Sequence, residues 1–393
     1  MKYANRMNRM VASEIREILK VTEQEQVISF AGGLPAPELF PVENFLTASK
    51  IVLEKNGHQA LQYSTTEGFE PLRQQIADRI NEKFQSQVRK NEILMVNGAQ
   101  QALDMSGKLF LNKGDTVVCE SPTYLGAINA FKAYECQFNS VSTDDQGICL
   151  SHLKEVLDGQ DDIKLIYVIP DFQNPTGRRW SLKKREEFMQ LVSQYNIPVI
   201  EDNPYGEISF DNQIFPSLKK WDVNKQVVTL GTFSKIFCPG LRIGWIAASQ
   251  EIINQYILLK QSADLHTSNL SQRQISKYLE LFDIEAHILK LIQVYKLRRD
   301  VAVAAIQKSF PPQIRYTFPE GGLFLWVELP EGLSSRSLFD ACIEKNVAFV
   351  PGDAFYPNGE KKNAFRLNFS NASEEQLQEG ISRIGSIMVS YFS

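Results

Sequence analysis

No stretch of this 393-residue chain is long and apolar enough to cross a bilayer, which argues against a membrane-spanning protein. The opening Met1-Lys2-Tyr3-Ala4-Asn5-Arg6-Met7 carries basic residues but no apolar run behind them to act as a signal sequence. Cysteine is sparse and odd in number: Cys119, Cys136, Cys149, Cys238 and Cys342 lie far apart, with no paired spacing for a metal. That pattern fits reduced thiols in a cytoplasm rather than a disulfide framework. Net charge is only -4, which leaves no electrostatic footprint for nucleic acid or anionic lipid. No repeat, low-complexity tract or Pro- or Ser-rich linker divides the chain.

What is present is ordinary for a soluble chain: 43% apolar and 22% charged residues, at a length that can bury a large core. That length suits one large domain with a smaller one, or two comparable domains. From about Asn91 to Ala248 a short β-rich apolar run, a polar loop and a helical stretch recur, the pattern of an α/β sheet with helices on both faces. Strands are predicted at Glu92–Val96, Thr116–Cys119, Lys164–Ile169, Pro198–Ile200, Gln226–Leu230 and Ile243–Ala247. Unusual polar residues crowd just past five of them: Asn97-Gly98-Ala99-Gln100, Ser121-Pro122-Thr123-Tyr124, Asp171 to Gly177, Glu201 to Tyr205, and Gly231 to Lys235. Ligands in such sheets sit beyond the carboxyl ends of the strands, so these loops are expected around one crevice. Farther on, the pattern predicts a long helical stretch from about Gln250 to Phe310, then strands at Gly321–Val327 and Ala364–Phe369. The chain thus divides into a large domain, 46–287, and a smaller α+β domain of 288–393 with 1–45 packed on it.

Lys235 ends the segment Gly231-Thr232-Phe233-Ser234-Lys235 behind an apolar strand, and Arg242 follows within Pro239-Gly240-Leu241-Arg242-Ile243-Gly244. A lysine there can present a neutral amine to a carbonyl, while Thr232, Ser234 and Arg242 offer two hydroxyls and a charged fork to phosphate oxygens. The amides of Ala99 and Gln100, where a strand turns into a helix, add phosphate donors. Asp202, just past a buried strand, can pair with a protonated ring nitrogen; a turn-forming role before Pro204 is the plain alternative. Tyr124 is suited to lie against a flat ring, or simply to pack in the core. Asn174 and Tyr205 can each donate a hydrogen bond to a phenolic oxygen, although Asn174 also opens an Asn-Pro-Thr-Gly turn. An amine, a phosphate cradle, an anion and a ring-packing surface are the four things pyridoxal phosphate asks of a protein. Lys235, Asp202 and Tyr205 are therefore the catalytic candidates, and Cys238 is read as a small packing residue rather than a reactive thiol.

These residues resemble a fold-type I, class I/II aminotransferase, and the similarity covers nearly the whole chain. It is carried by Asp171 to Gly177, Asp202-Asn203-Pro204-Tyr205, and Ser234-Lys235 spaced to Arg242. Ile15-Arg16-Glu17-Ile18 and Ser29 to Pro37 further resemble the subgroup of 2-aminoadipate and kynurenine aminotransferases and the catalytic domains of MocR-type regulators. Cys238-Pro239 departs from the small or aliphatic pair common in the wider class, which narrows the subgroup. The resemblance implies an α/β fold with a mostly parallel seven-stranded sheet in the large domain and a smaller α+β domain. It also implies that Arg366, in Phe365-Arg366-Leu367, clamps the substrate's alpha-carboxylate, with Asn174, Gly33 and Arg16 on the substrate side. Tyr63 would reach the phosphate held by the neighbouring subunit, which implies a homodimer with shared active sites.

The activity implied is ping-pong transfer of an amino group from an L-amino acid to a 2-oxo acid such as 2-oxoglutarate. The donor is left open among 2-aminoadipate, glutamate, an aromatic amino acid or another of a broad range; the expected location is the cytoplasm, and no metal, nucleic acid or membrane partner is expected. One rival is a pyridoxal-phosphate-dependent lyase or decarboxylase, which Arg366 disfavours by holding the carboxylate. The other is a non-catalytic, MocR-like ligand-sensing domain, which needs a DNA-binding winged helix ahead of a similarity that here begins within the first 20 or so residues.

Overall fold

In the computed structural model of the chain, residues 1–8, 10, 18 and 26–391 are described. A two-residue strand, β1 (Ile28–Ser29), comes first, followed by those of a large sheet: β2 (Ile93–Val96), β3 (Thr116–Ser121), β4 (Gln137–Asp144) and β5 (Gly147–Ile148). That sheet continues with β6 (Ile163–Val168), β7 (Val199–Asp202), β8 (Val227–Thr232) and β9 (Gly244–Ala247). Its eight strands run in the order β2-β9-β8-β7-β6-β3-β4-β5. Pairing is parallel from β8 through β7, β6 and β3 to β4, while β9 is antiparallel to both its neighbours and β5 to β4.

Strand alternation explains why so apolar a run suits this sheet. Leu165 and Tyr167 face one buried cluster with Val228 and Leu230, whereas Ile166 and Val168 face another with Val199 and Val227. Helices on both faces leave no wet side, so the central strands read as continuous Val/Ile/Leu. Seven strands were expected; the eighth is β5, a two-residue edge strand. The six strands predicted by position lack β4 as well, because Gln137–Asp144 is polar and half-exposed along most of its length.

A second sheet, wholly antiparallel, has the order β10-β11-β14-β13. Its strands are β10 (Arg315–Tyr316), β11 (Phe324–Glu328), β13 (Val350–Pro351) and β14 (Ala364–Asn368), with β12 (Val347–Ala348) paired in parallel to β1 instead. The strand predicted to begin at Gly321 begins at Phe324. Gly321 and Gly322 form a crossing there: Gly322 has φ +68°, and a Cβ on Gly321 would lie 2.3 Å from the Ile208 carbonyl oxygen.

The long helical stretch expected from Gln250 to Phe310 is three helices, Gln250–Ala263, Asn269–Leu281 and Ile284–Ser309. The breaks are capped locally: Ser268 Oγ accepts from Ser271 N, and the Asp283 carboxylate accepts from Glu285 N and Ala286 N. Among the described residues, no helix is long and apolar enough to cross a membrane.

Candidate active site

A cavity of about 350 Å³ opens at the carboxyl ends of β2, β7 and β8, where β14 of the second sheet comes across to close it. A larger groove, about 880 Å³, runs beside Arg315, Glu328 and Lys361, but it lacks the buried titratable groups that the smaller cavity gathers. Chemistry rather than size selects the site.

Lys235 sits in the cavity wall just past β8, and its Nζ donates to the Gly33 carbonyl oxygen at 2.7 Å. Burial lowers its pKa to about 8, helped by the positive charges of Arg366 and Arg242. Asp202 ends β7 and is 3% exposed. Its Oδ2 accepts from the Tyr167 hydroxyl at 2.8 Å, whereas Oδ1 is buried with no partner among the described residues. Burial pushes this carboxyl up to about 6, and the Tyr167 hydrogen bond opposes that rise.

A cluster of hydrogen-bond donors lies on the other side of the lysine. The helix Ala99–Phe110 begins here, and Gly98 at its N-cap has φ +77°. A Cβ at Gly98 would lie 2.4 Å from Arg242 Nη2, so only glycine admits the guanidinium this close. Arg242 itself takes the left-handed conformation, with its Nη2 donating to the Asn97 carbonyl at 3.3 Å. Ser234 N donates to Thr232 Oγ1 at 3.1 Å, and Thr232 Oγ1 donates to Ser234 Oγ at 2.9 Å. Two hydroxyls, a guanidinium and a helix N-terminus thus converge where the dipole favours a negative charge. Behind them Asp264 accepts from Asn97 Nδ2 and Gln101 Nε2, both at 2.6 Å, and from Lys260. Sequence reasoning missed this brace, which joins residues more than 150 positions apart.

The third wall carries Arg366, in β14 and 1% exposed. Its Nη1 donates to Asn174 Oδ1 at 2.8 Å and its Nη2 to the Ala31 carbonyl, while Nε has no partner among the described residues. The guanidinium lies 4.2 Å above the Phe324 ring, and burial lowers its pKa to about 10. Tyr205 packs edge-on to the same ring, 5.8 Å between centroids, and burial raises its phenol pKa. Asn174 is held in place through its loop. Glu120 accepts from Ile169 N at 3.0 Å and from Trp180 Nε1 at 2.9 Å, and Thr176 Oγ1 donates to Gln173 Oε1 at 2.6 Å. Gly177 (φ +69°) approaches the Phe324 carbonyl so closely that a Cβ would lie 2.5 Å from it.

One cavity therefore gathers Gly33, Ala99, Gln100, Tyr124, Asn174, Asp202, Tyr205, Thr232, Ser234, Lys235, Arg242 and Arg366. Tyr63 is not in it: the side chain is 78% exposed, with its ring edge-on to His266. Arg16 lies outside the described residues. Tyr167 and Phe324, which touch Asp202 and Arg366, went unnoticed in the sequence because each sits in an apolar strand without a local signal.

Residues 26–384 match the family model of aminotransferase class I and II. The chain belongs to that family. It is 45% identical to the aromatic-amino-acid aminotransferase 1 of Thermococcus litoralis, over 95% of this chain and 91% of that one. Among solved structures it is similar to the Pyrococcus horikoshii kynurenine aminotransferase in complex with PMP, with a TM-score of 0.95 and 39% identity, covering 100% of this chain and 98% of that one. The alpha-aminoadipate aminotransferase of Thermus thermophilus, complexed with N-(5'-phosphopyridoxyl)-L-leucine, gives a TM-score of 0.93 at 39% identity, covering 99% of this chain and 98% of the other.

Proposed function

We propose that this aminotransferase holds pyridoxal 5'-phosphate in the 350 Å³ cavity and moves an amino group from an L-amino acid to a 2-oxo acid in two half-reactions. One observation carries the reading: an amine whose pKa is lowered to about 8 and a buried carboxylate with a bare oxygen face the same cavity, opposite Arg366. The residues fit the cofactor. Arg242, Ser234, Thr232 and the amides of Ala99 and Gln100 would hold its phosphate, and Asp202 would hold its ring nitrogen. Tyr124 would cover the ring, with Asn174 and Tyr205 at the phenolic oxygen. When bound, pyridoxal phosphate supplies an electron-withdrawing ring that stabilises negative charge on the carbon that loses its proton.

The chain's own groups do the rest. Arg366 binds the alpha-carboxylate of either substrate as a bidentate pair and fixes the alpha carbon near Lys235. Lys235 Nζ takes the proton from that carbon in the first half-reaction and delivers one to the alpha carbon of the new amino acid in the second. Its lowered pKa keeps a useful fraction of free amine near neutral pH. Holding the carboxylate in an ion pair opposes its departure as carbon dioxide, which favours transfer over decarboxylation.

The relatives act on aromatic amino acids, kynurenine and alpha-aminoadipate, and we extend to this chain a donor range of that kind, with 2-oxoglutarate as acceptor. The working form is a homodimer in the cytoplasm, with Tyr63 of each subunit completing the other's phosphate site. Residues 46–287 form the cofactor domain and 288–393 with 1–45 the smaller one. A donor panel with 2-oxoglutarate, followed at the cofactor's absorbance and by glutamate release, tests the activity. At least one such donor yields glutamate. Ammonia, pyruvate or carbon dioxide in its place, or no spectral change with any amino acid, overturns the reading.

A further inference from the structure

Tyr167 and Asp202 stand on adjacent parallel strands, β6 and β7, with their side chains on the same face of the sheet. The phenol is 1% exposed and its ring is fixed edge-on to Phe131, 5.8 Å between centroids. Its hydroxyl donates to Asp202 Oδ2 at 2.8 Å, and Oδ1 has no partner among the described residues. A carboxylate has two oxygens and a free rotation about its last bond, so an untethered Asp202 would present either oxygen, at varying angles. Tethering one oxygen fixes the plane and leaves the other without a partner beside the cavity that Asp202 lines.

We infer that Tyr167 is a positioning residue, which orients Asp202 so that Oδ1 receives the ring N–H of pyridoxal phosphate. The hydrogen bond acts in a second way. Burial favours the neutral acid, which cannot balance a protonated ring, whereas a donor on Oδ2 favours the anion. Packing alone does not require a hydroxyl: phenylalanine fills the same space against Phe131. The inference rests on the cofactor reading above, and its test separates the two.

Equilibrium binding to the apo protein is measured for two probes, pyridoxal phosphate and its analogue with CH in place of the ring nitrogen. Tyr167→Phe is expected to bind pyridoxal phosphate about tenfold more weakly than the wild type, the scale of one lost hydrogen bond to a charged group, with affinity for the analogue unchanged. In an Asp202→Asn background, Tyr167→Phe is expected to have no further effect, because its route runs through that carboxylate. Tyr167→Met serves the same comparison should the phenyl ring pack poorly. Equal weakening of both probes means that Tyr167 only supports the fold, and no weakening of either means that Asp202 needs no orienting; each overturns the inference. A wild-type chain that binds neither probe overturns the cofactor reading as well.

Discussion

Arg366 Nη1 donates to Asn174 Oδ1 at 2.8 Å, so a guanidinium from the second sheet docks on the loop that follows β6 of the first. The same side chain reaches Ala31 through its other terminal nitrogen and lies over Phe324. Three fixed contacts leave a planar fork already oriented for a carboxylate, with little side-chain entropy left to lose on binding.

Arg366→Lys is therefore not conservative. A lysine is a point charge that cannot hold Asn174 and Ala31 while also pairing bidentately with substrate. The expected result is a rise in KM for both amino acid and 2-oxo acid on the order of 100-fold, from the loss of charge-assisted hydrogen bonds, with pyridoxal phosphate affinity nearly unchanged. Steady-state kinetics beside a cofactor titration check this. An unchanged KM would mean that the carboxylate binds elsewhere.

Much of what lines the cavity was legible because Lys235 and Tyr205 lie just past a strand end and Asp202 closes one, where polar residues stand out against the apolar run before them. Thr232, Ser234, Lys235 and Arg242 form one short segment, so their closeness in the chain foretold that they would line one cavity. Tyr167 was not legible for the opposite reason: 35 residues separate it from Asp202, and only the β6–β7 register brings them together. Asp264 was hidden the same way. Strand β4 escaped because, one place in from the edge and half-exposed along most of its length, it lacks the apolar run that betrays a central strand. The helix breaks at Ser268 and Asp283 carry a local signal, since both are cap residues whose side chains accept from the amides that open the next helix.

The lowered pKa of Lys235 gives a pH dependence with a definite sign. Only the neutral amine attacks an aldehyde, so the rate at which apo protein captures pyridoxal phosphate should rise with pH and level off above about 8. Burial is the largest cause and the charges of Arg366 and Arg242 come next, so Arg366→Gln should move that midpoint upward. Stopped-flow absorbance at a series of pH values measures both. A midpoint near that of an ordinary lysine, or a downward move in the variant, would contradict the electrostatics described for the cavity.

Tyr63 decides whether sites are shared between subunits. The residue is 78% exposed on one chain, with its ring edge-on to His266, so a second chain has room to cover it. Suppose each Tyr63 serves the partner's cradle. Then Tyr63→Ala and Lys235→Ala dimers are each impaired, but a mixed dimer has one site built from the intact Lys235 of one subunit and the intact Tyr63 of the other. Random reassortment of equal amounts makes about half of all dimers mixed, each with one sound site of two, so about a quarter of wild-type activity should return. If Tyr63 serves its own subunit, each mixed dimer contains one site lacking Lys235 and one lacking Tyr63, and mixing restores nothing; if it serves none, Tyr63→Ala alone is already fully active. Activity after co-refolding, corrected for that of Tyr63→Ala alone, separates these cases without any need to know the natural substrate.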